Sequence, residues 1–526
     1  MKRIALYLTI AAVALSSCHK QLDKNPPNAL SPEVVYKDVN GYKQVLAKVY
    51  GSMALTGNQG PAGNGDVAGI DEGTSDFLRL YWKAQELSTD EAVVAWNDPG
   101  IQDFHNMNWS SSNPMLIGLY GRCMFTITLC NEFIRESASD KLTSRGISAD
   151  QVKPMRAEAR FVRAFQYWVL MDLFANPAFA DETQGIGKFN PEQSSRQKLF
   201  EFIEKEMQAI EADLVAPRQN EYGRADKAAA WALLARLYLN AESYGLAKKY
   251  TEAVAFSKRV IDAYPAINSM NNNYRNLLLA DNHSNGSQNE FIWTLNYDGL
   301  KTQNFGGTTF MVNASVGGDM NNEFSGLGGW GGIRTTRRLP DLFPDANGNG
   351  DKRAQFFTGH NIDIAKISEF KDGYGVTKFR NRTSSGGFGN DPNRTFSDID
   401  FPVFRLSEMY LIYAEAAHPT RGGTGGSSAL ALNYLNQLRT RAQVTAPAIT
   451  SYDLDYILAE RGRELYWEGH RRTDLVRFNR FTEGTYLWPW KGGIKDGVGV
   501  DAFRKVYPIP APEVASNPNM RQNPGY

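Results

Sequence analysis

The sequence predicts a mostly α-helical protein, in which a scaffold of tetratricopeptide-like helical repeats carries a large loop-rich insertion with few strands. Three observations lead to this prediction. Apolar residues recur at helical spacing in both terminal parts of the chain, small residues alternate with large ones in the predicted helix 225–240, and glycine and asparagine mark residues 265–400 as loops. With 526 residues, the chain is long enough for a large core or for more than one domain.

The first 17 residues have the layout of a cleaved secretion signal. Lys2 and Arg3 form a short basic region, and residues 4–15 are nearly all apolar. This apolar run is about a dozen residues long, shorter than the roughly 20 that a membrane span needs. Small residues precede Cys18, as in a bacterial lipobox, so we predict that residues 1–17 are removed and that Cys18 becomes the lipidated first residue. An ordinary secreted protein with an incidental cysteine is the alternative.

Three regions follow the signal peptide. Residues 18–32 are polar and contain prolines, which predicts a lipidated tether. Residues 33–264 form a predicted N-terminal helical region, and residues 265–526 a C-terminal region in which a loop-rich, ligand-binding part precedes further helices. Helical periodicity and turn residues predict helices at about 33–50, 153–174, 196–215, 225–240, 246–263, 402–417, 427–442 and 453–478, an irregular loop at 57–75, and an extended strap at 506–526.

The predicted helix 225–240 carries the clearest repeat signal. Ala228 and Ala232 lie among large side chains such as Trp231 and Tyr238, and small residues set among large ones allow helices to pack closely. Antiparallel helix pairs of this length with short connections are typical of tetratricopeptide-like units.

Residues 265–400 are predicted to be loops interrupted only by brief strands such as 290–295. A stretch of this length without helices is uncommon as a simple linker. Loops mounted on a helical scaffold are where binding residues tend to lie. We therefore expect the ligand-binding residues in and around this part of the chain.

Composition excludes some classes of function. The 57 basic and 57 acidic residues balance, whereas binding to nucleic acid needs a concentrated basic surface. Cys123 and Cys130 lie in a helical pattern, where their spacing separates them by about 10 Å, beyond the reach of a disulfide. They are predicted to be buried free thiols.

No catalytic motif is present in the sequence. The six histidines form no His-Glu-x-x-His zinc pair, and neither a Gly-x-Ser-x-Gly elbow nor a Walker loop occurs. A glycosidase needs only two suitably spaced carboxylates, so a glycoside hydrolase stays open as the enzymatic alternative. The charged residues concentrated at 460–480 are interpreted as an ion-paired helix face, with a ligand site as the alternative.

One segment resembles the first half of a calcium-binding loop. Oxygen-bearing side chains alternate at Asp345, Asn347, Asn349 and Asp351, and such oxygens can surround a hard cation. Phe356, however, occupies the position where an EF-hand needs its bidentate glutamate. Calcium bound by these four residues and a solvated turn are therefore both open interpretations, and no cofactor is required by any other feature.

Three aromatic residues stand in polar or glycine-rich surroundings. They are Trp96 in AVVAWND, Phe305 in NFGGTTF and Trp330 in LGGWGG. Neighbouring glycines leave a ring face uncovered, and such a face can lie against the C–H surface of a pyranose while polar side chains bind its hydroxyls. Taken singly, each ring could also be a loop anchor.

Several longer stretches together resemble the SusD/RagB family of outer-membrane glycan-binding lipoproteins, and the resemblance runs nearly from end to end. Besides the lipobox, these stretches are RAEARFVRAFQYW (156–168), YGRADKAA (222–229), FRLSEMYLIYAEA (404–416), RGRELYWEGHRRTDLVRF (461–478) and YPIPAPEV (507–514). Further segments, including DEGTSDF (71–77), NFGGTTF (304–310) and YLWPWKGG (486–493), are closest to the starch-binding member of that family.

The resemblance implies a non-catalytic surface lipoprotein that captures glycan and delivers it to a SusC-like TonB-dependent transporter. It implies that rings at Trp96, Phe305 and Trp330 form an arc against an α-1,4-glucan, and that Arg79 binds sugar hydroxyls. The middle ring of that arc is a tyrosine in the starch-binding relative and Phe305 here. It also implies attachment to the outer membrane through lipid on Cys18, facing outward. A lipoprotein that binds a different glycan and a purely structural scaffold are the non-enzymatic alternatives.

Overall fold

The computed structural model describes residues 31–526, except 62, 186, 188, 271 and 272. The predicted signal peptide, Cys18 and most of the tether lie outside these residues. Helix accounts for 44% of the structure and strand for 7%, which confirms the predicted mostly α-helical class.

The α-helices of the described residues are numbered in chain order. They are α1 (Pro32–Val35), α2 (Val39–Ala54), α3 (Phe77–Glu86), α4 (Asp103–Asn106), α5 (Pro114–Glu136), α6 (Ser139–Ser144), α7 (Ala149–Phe174), α8 (Arg196–Ile210), α9 (Lys227–Leu239), α10 (Tyr250–Ala263), α11 (Gly307–Ala314), α12 (Leu406–Ala416), α13 (Ser428–Arg441), α14 (Leu454–Leu465), α15 (Arg471–Arg477) and α16 (Ala511–Ser516).

The long helices pack successively against one another, as in a helical-repeat scaffold. Helix α2 packs on α5, α5 on α7, α7 on α8, and the series continues through α9, α10, α12 and α13. In α9 the alanines at 228, 229, 230, 232 and 235 are all buried, so their small side chains let the neighbouring helices approach closely. The predicted tetratricopeptide-like scaffold is confirmed by this arrangement.

Four short two-stranded antiparallel sheets lie among the connecting loops. They pair β1 (Val93–Val94) with β5 (Ile333–Arg334), β2 (Ala178–Phe179) with β3 (Glu192–Gln193), β4 (Phe291–Leu295) with β8 (Phe401–Arg405), and β6 (Phe356–Phe357) with β7 (Gly375–Val376). The predicted strand at 290–295 corresponds to β4. Through the β1–β5 pair, the loop-rich segment is attached to the N-terminal half of the chain.

The structure corrects several predicted elements. The predicted helix 33–50 is two helices, α1 and α2, separated by residues 36–38. Residues 402–405 belong to strand β8 rather than to a helix, because they pair with β4 before α12 begins. The predicted helix 453–478 is two helices, α14 and α15, since Trp467 and Gly469 between them have positive φ values of 65° and 79°. The segment 265–400 also contains a helix, α11, all of whose residues are buried.

The break between α14 and α15 is stabilised by two buried carboxyl groups. Glu86 Oε1 accepts the backbone N–H of Gly469 at 2.7 Å, and Glu91 Oε2 accepts that of Trp467 at 3.0 Å. Burial raises the pKa of Glu91 to about 7. Backbone groups that a continuous helix would have satisfied internally are thus satisfied by side chains from the N-terminal half.

The ion-paired interpretation of residues 460–480 is confirmed, but most of these charges are buried rather than on a solvated face. Glu460 pairs with Arg463 at 2.8 Å, as the helical spacing predicts. Glu464 and Glu468 instead pair with Arg405 at 2.6 and 2.7 Å, and all three side chains are at most 2% exposed. These buried charge pairs therefore join strand β8 to helix α14 and to the residues that follow it.

The cysteines and the C-terminal strap were also predicted from the sequence. Cys123 and Cys130 are buried and free, as predicted, and burial raises the pKa of the Cys130 thiol to about 12. Across the described residues, none of the helices combines the length and apolarity needed to cross a bilayer. Residues 506–526 pack as a strap, since Tyr507 N–H donates to Leu173 O at 2.7 Å, although α16 interrupts the extended chain.

Candidate functional site

The three aromatic residues singled out in the sequence lie together. The ring centroids of Trp96 and Trp330 are 6.5 Å apart at an interplanar angle of 47°, and those of Phe305 and Trp330 are also 6.5 Å apart, at 56°. Trp330 therefore lies between the other two rings. The expectation that Phe305 is the middle ring is wrong, because Trp330 is the ring that contacts both partners. We call these three residues the aromatic arc.

Trp96 and Trp330 are brought together by the β1–β5 pair. Val94 pairs with Ile333, and just beyond this pair Ala95 N–H donates to Gly332 O at 2.7 Å. The two segments then run side by side past Trp96 and Trp330. A Cβ atom at Gly332 would lie 1.9 Å from the Trp96 ring, so only glycine lets the ring rest against this strand.

The loop that bears Trp330 is held against the end of helix α11. Trp330 N–H donates to Asn313 O at 2.6 Å, and Gly331 N–H donates to Val316 O at 2.9 Å. Gly331 has φ +58°, a conformation that favours glycine. This support leaves the Trp330 side chain 38% exposed, an unusual degree of exposure for a large ring held so rigidly.

Phe305 is fixed from behind by Phe396 and by its own chain neighbours. The Phe305 and Phe396 centroids are 5.5 Å apart. Asn304 is buried, and its Nδ2 donates to Ala54 O at 2.6 Å, which ties this loop to the end of α2. The half-buried Phe305 ring thus packs against Phe396 and also borders Trp330.

Arg79 lies beneath the arc rather than beside it. Its Nη1 donates to Gly73 O and to Phe305 O, both at 2.8 Å, and its guanidinium carbon is 4.8 Å from the Phe310 centroid and 5.9 Å from that of Trp330. Burial lowers the pKa of Arg79 to about 10, so the side chain stays cationic at neutral pH. It holds the Phe305 loop in place and adds positive charge under the rings.

Asp76 is a positioning residue that the sequence did not reveal. Its Oδ1 accepts the backbone N–H of Arg79 at 2.8 Å and that of Gly307 at 2.7 Å. One carboxylate oxygen therefore accepts backbone N–H groups in the first turn of α3 and at the start of α11. Only the resemblance of DEGTSDF to the starch-binding relative pointed to this segment, and it assigned Asp76 no role.

Two exposed carboxylates complete the surroundings of the arc. Asp71 and Asp98 are exposed, and both are close enough to Arg79 for their charges to act on the pKa of its guanidinium. Carboxylate oxygens next to exposed ring faces can accept hydrogen bonds from sugar hydroxyls. Neither residue was among the predicted site residues, because no spacing rule relates them to the rings.

The calcium interpretation of residues 345–351 stays a prediction, and the contacts favour the alternative turn. Asp345 accepts backbone N–H groups from Asn347, Asn349 and Gly350, at 2.9, 3.2 and 2.8 Å. Asp351 is buried and pairs with Arg353 at 2.7 Å. Within the described residues, no cluster of three or more His, Cys, Asp or Glu side chains is arranged to hold a metal ion.

Comparison with known proteins identifies the family and agrees with this fold. A family model described as "SusD family" matches residues 354–526, and one described as "Starch-binding associating with outer membrane" matches residues 22–239. The starch-binding protein SusD of Bacteroides thetaiotaomicron is 33% identical over 571 residues, which cover 99% of this chain and 98% of that protein. SusD-like protein P2 of Formosa agariphila is 24% identical, with 100% of each chain covered.

Solved structures give the same result for the fold. A SusD-like protein from Bacteroides fragilis has a TM-score of 0.70 at 18% identity, covering 96% of this chain and 100% of its own. A laminarin-binding SusD-like protein has a TM-score of 0.67 at 23% identity, covering 93% and 100%. Identities this low show a shared fold and nothing about the ligand of this chain.

Proposed function

The chain belongs to the SusD family, and we propose that it is a non-catalytic surface lipoprotein that captures a starch-type α-glucan for import. The observation that carries the proposal is the aromatic arc: three neighbouring rings, of which Trp330 is exposed and Trp96 and Phe305 are half-buried, with the cationic Arg79 beneath them and exposed carboxylates near that cation. Such a surface stacks on pyranose rings and binds their hydroxyls without providing the enclosed pocket typical of small-molecule sites.

The shape of the arc supports a curved glycan as the ligand. Successive rings are tilted by 47° and 56° at equal spacings of 6.5 Å. A flat ribbon-like chain stacks best on coplanar rings, whereas a helically coiled α-1,4-glucan presents its sugars at successive angles. The name of the 33% identical relative, a starch-binding protein, supports the same ligand. A different glycan, such as a β-glucan, is the alternative to be tested.

Affinity electrophoresis tests the ligand class. We expect the purified protein to be retarded in gels that contain amylopectin or glycogen and to run freely in gels that contain laminarin, dextran, inulin or xylan. Retardation in laminarin alone would show that the ligand is a β-glucan and not an α-glucan. Free migration in every gel would contradict glycan binding. The same preparation should release no reducing sugar from the retarding polymer, since release would establish the glycoside hydrolase alternative.

The proposal also includes the lipid anchor and the transporter. Lipid on Cys18 would hold the protein at the outer membrane, facing outward, and a polar tether would keep the aromatic arc near a SusC-like TonB-dependent partner. Tethering of this kind raises the effective concentration of a captured glycan at the transporter, so a modest affinity is sufficient.

Replacing Cys18 with alanine separates capture from import. We expect the Cys18→Ala protein to bind the glycan in solution as the wild type does, because the proposed glycan site consists of the aromatic arc and Arg79. Growth of the parent organism on the polysaccharide should fail, since an unanchored protein is lost from the surface. Normal growth with Cys18→Ala as the sole copy would refute the anchoring part of the proposal without affecting the glycan ligand.

A further inference from the structure

Two adjoining cavities lie outside the aromatic arc. Their volumes are about 270 and 220 Å³, and both are lined by residues 221–224 and by Thr294. Helix α2 forms one wall, and strand β4 with the residues after it forms the other. Tyr222 lines both cavities, and we call the combined space the Tyr222 groove. Its combined size falls in the range of about 300–1,000 Å³ that is typical of ligand sites.

One segment of the chain contributes to both the groove and the arc, but different residues of that segment line each of them. Asn296 and Thr302 line the groove, whereas Phe305 does not and belongs to the arc. Between them, buried Asn304 donates to Ala54 O at 2.6 Å, and Ala54 is itself part of the groove wall. A ligand in the groove would therefore not compete for the faces of the arc.

An exposed aromatic ring with an amide beside it lies at the centre of the groove. Tyr222 is 41% exposed, which few large apolar side chains are among the residues that the structure describes. Asn296 is also exposed, and a Cβ at Gly223 would lie 2.3 Å from its Nδ2. Gly223, with φ +83°, thus lets the Asn296 amide approach the Tyr222 segment closely.

Further polar groups border the Tyr264 side of the groove. Arg218 is exposed, and its guanidinium contacts Asn289 Oδ1 at 3.4 Å. In the described part of the chain, no carboxylate lies within ion-pair distance of that guanidinium. Gln288, which lines the same cavity, is partly exposed. Amide and guanidinium groups next to a ring face can form hydrogen bonds with the hydroxyls of a ligand that stacks on the ring.

Charge pairing around the groove favours an uncharged ligand. Lys43 pairs with Glu221 at 2.8 Å, and Arg224 pairs with Glu158 at 2.6 Å. These contacts neutralise two of the three cations that line the groove, so a phosphate or carboxylate ligand would find little net attraction. The α2 wall is apolar, with Leu46, Ala47 and Ala54, which suits the C–H faces of a sugar.

We propose that the Tyr222 groove is a second oligosaccharide-binding site, independent of the aromatic arc. The inference rests on the proposed glycan-binding function and extends it. Tyr222 supplies the stacking face, and Asn296, Arg218 and Gln288 supply the hydroxyl contacts. Two sites on one protein let a polysaccharide engage both, and this raises avidity for the polymer more than affinity for a short oligosaccharide.

The test uses the polysaccharide that retards the wild-type protein. Four variants are compared with the wild type by affinity electrophoresis. The first is the arc double variant Trp96→Ala/Trp330→Ala, and the second and third add Tyr222→Ala or Tyr222→Phe to that double variant. The fourth is Leu300→Ala alone, as control. Leu300 is 54% exposed and follows Asn296 on the same segment but lines neither cavity. Melting temperatures confirm that each variant is folded.

We expect the arc double variant to keep a weak, measurable retardation. Adding Tyr222→Ala should weaken the remaining affinity by about tenfold or more, as removal of an aromatic anchor does, whereas Tyr222→Phe should preserve it. If the folded double variant migrates freely, or if Tyr222→Ala leaves its retardation unchanged, the second site is refuted and the proposed function stands. If the wild type itself is retarded by no polysaccharide, the proposed function fails and this inference fails with it.

Discussion

Replacing Trp330 with alanine is expected to weaken glycan binding about 100-fold, equivalent to about 2.7 kcal/mol. Trp330 is the only ring of the arc that contacts both others, at 6.5 Å from each. Its removal would leave Trp96 and Phe305 as two separated platforms. It would also uncover the Arg79 guanidinium, which lies 5.9 Å from the Trp330 ring centroid, to water that screens its charge.

The measurement is the dissociation constant for maltoheptaose by isothermal titration, at one salt concentration. Ile494→Ala is the matched control, because Ile494 is 55% exposed, more than the 38% of Trp330, and forms no part of the arc. We expect this control to bind as the wild type does. Since Trp330 is partly exposed, its variant should keep a melting temperature close to the wild-type value. A Trp330→Ala dissociation constant within twofold of the wild type would contradict the role given to the arc.

The site could be predicted in part because its aromatic residues have unusual neighbours. Glycines follow Phe305 and flank Trp330 in sequence. The structure gives the reason at Trp330, because Gly331 has a positive φ and Gly332 has no room for a side chain. The order of the rings could not be predicted, because it depends on the pairing of Val94 with Ile333 across a long sequence separation. Local periodicity carries no information about such a contact.

The fold shows the same division between local and long-range information. Helices α8, α9 and α10 begin and end near the predicted positions, because their apolar residues recur at 3.6-residue spacing. Residues 402–405 of strand β8 are predicted as helix because a short run that is buried throughout has the same composition in either structure, and all of β8 is buried. Its partner β4 decides the outcome, and that partner lies more than a hundred residues earlier.

The sequence predicted ion pairs at residues 460–480 but not the extent of the buried charge network. Arg405 contacts Glu290, Glu464 and Glu468 at 2.9, 2.6 and 2.7 Å. Glu464 also pairs with Arg441 and Arg353, and these side chains are at most 2% exposed. The network connects strand β8, helices α13 and α14 and the residues that follow them, so it fixes how the C-terminal elements meet.

Arg405→Ala is expected to lower the free energy of unfolding by about 3–5 kcal/mol, because removing one partner leaves buried charges uncompensated. Urea denaturation at pH 7 measures the effect. Lys258→Ala is the control, since the Lys258–Asp262 pair has side chains 37% and 60% exposed, and such pairs contribute only about 0.3–0.5 kcal/mol. Equal effects of the two substitutions would show that the network does not hold the C-terminal half together.

The same variant should change how stability depends on pH. Burial alone would raise the pKa of Glu468, but Arg405 and Lys378 outweigh it and hold that pKa below its usual value. A carboxyl group with a lowered pKa in the folded state stabilises the fold above its unfolded pKa of about 4.3, and this stabilisation disappears as the pH falls through the folded pKa. Without Arg405, the pKa of Glu468 should rise, and the wild-type loss of stability as the pH falls below about 5 should become shallower. Parallel pH profiles for the wild type and Arg405→Ala, measured by urea denaturation, would contradict the ion pairing inferred for Glu468.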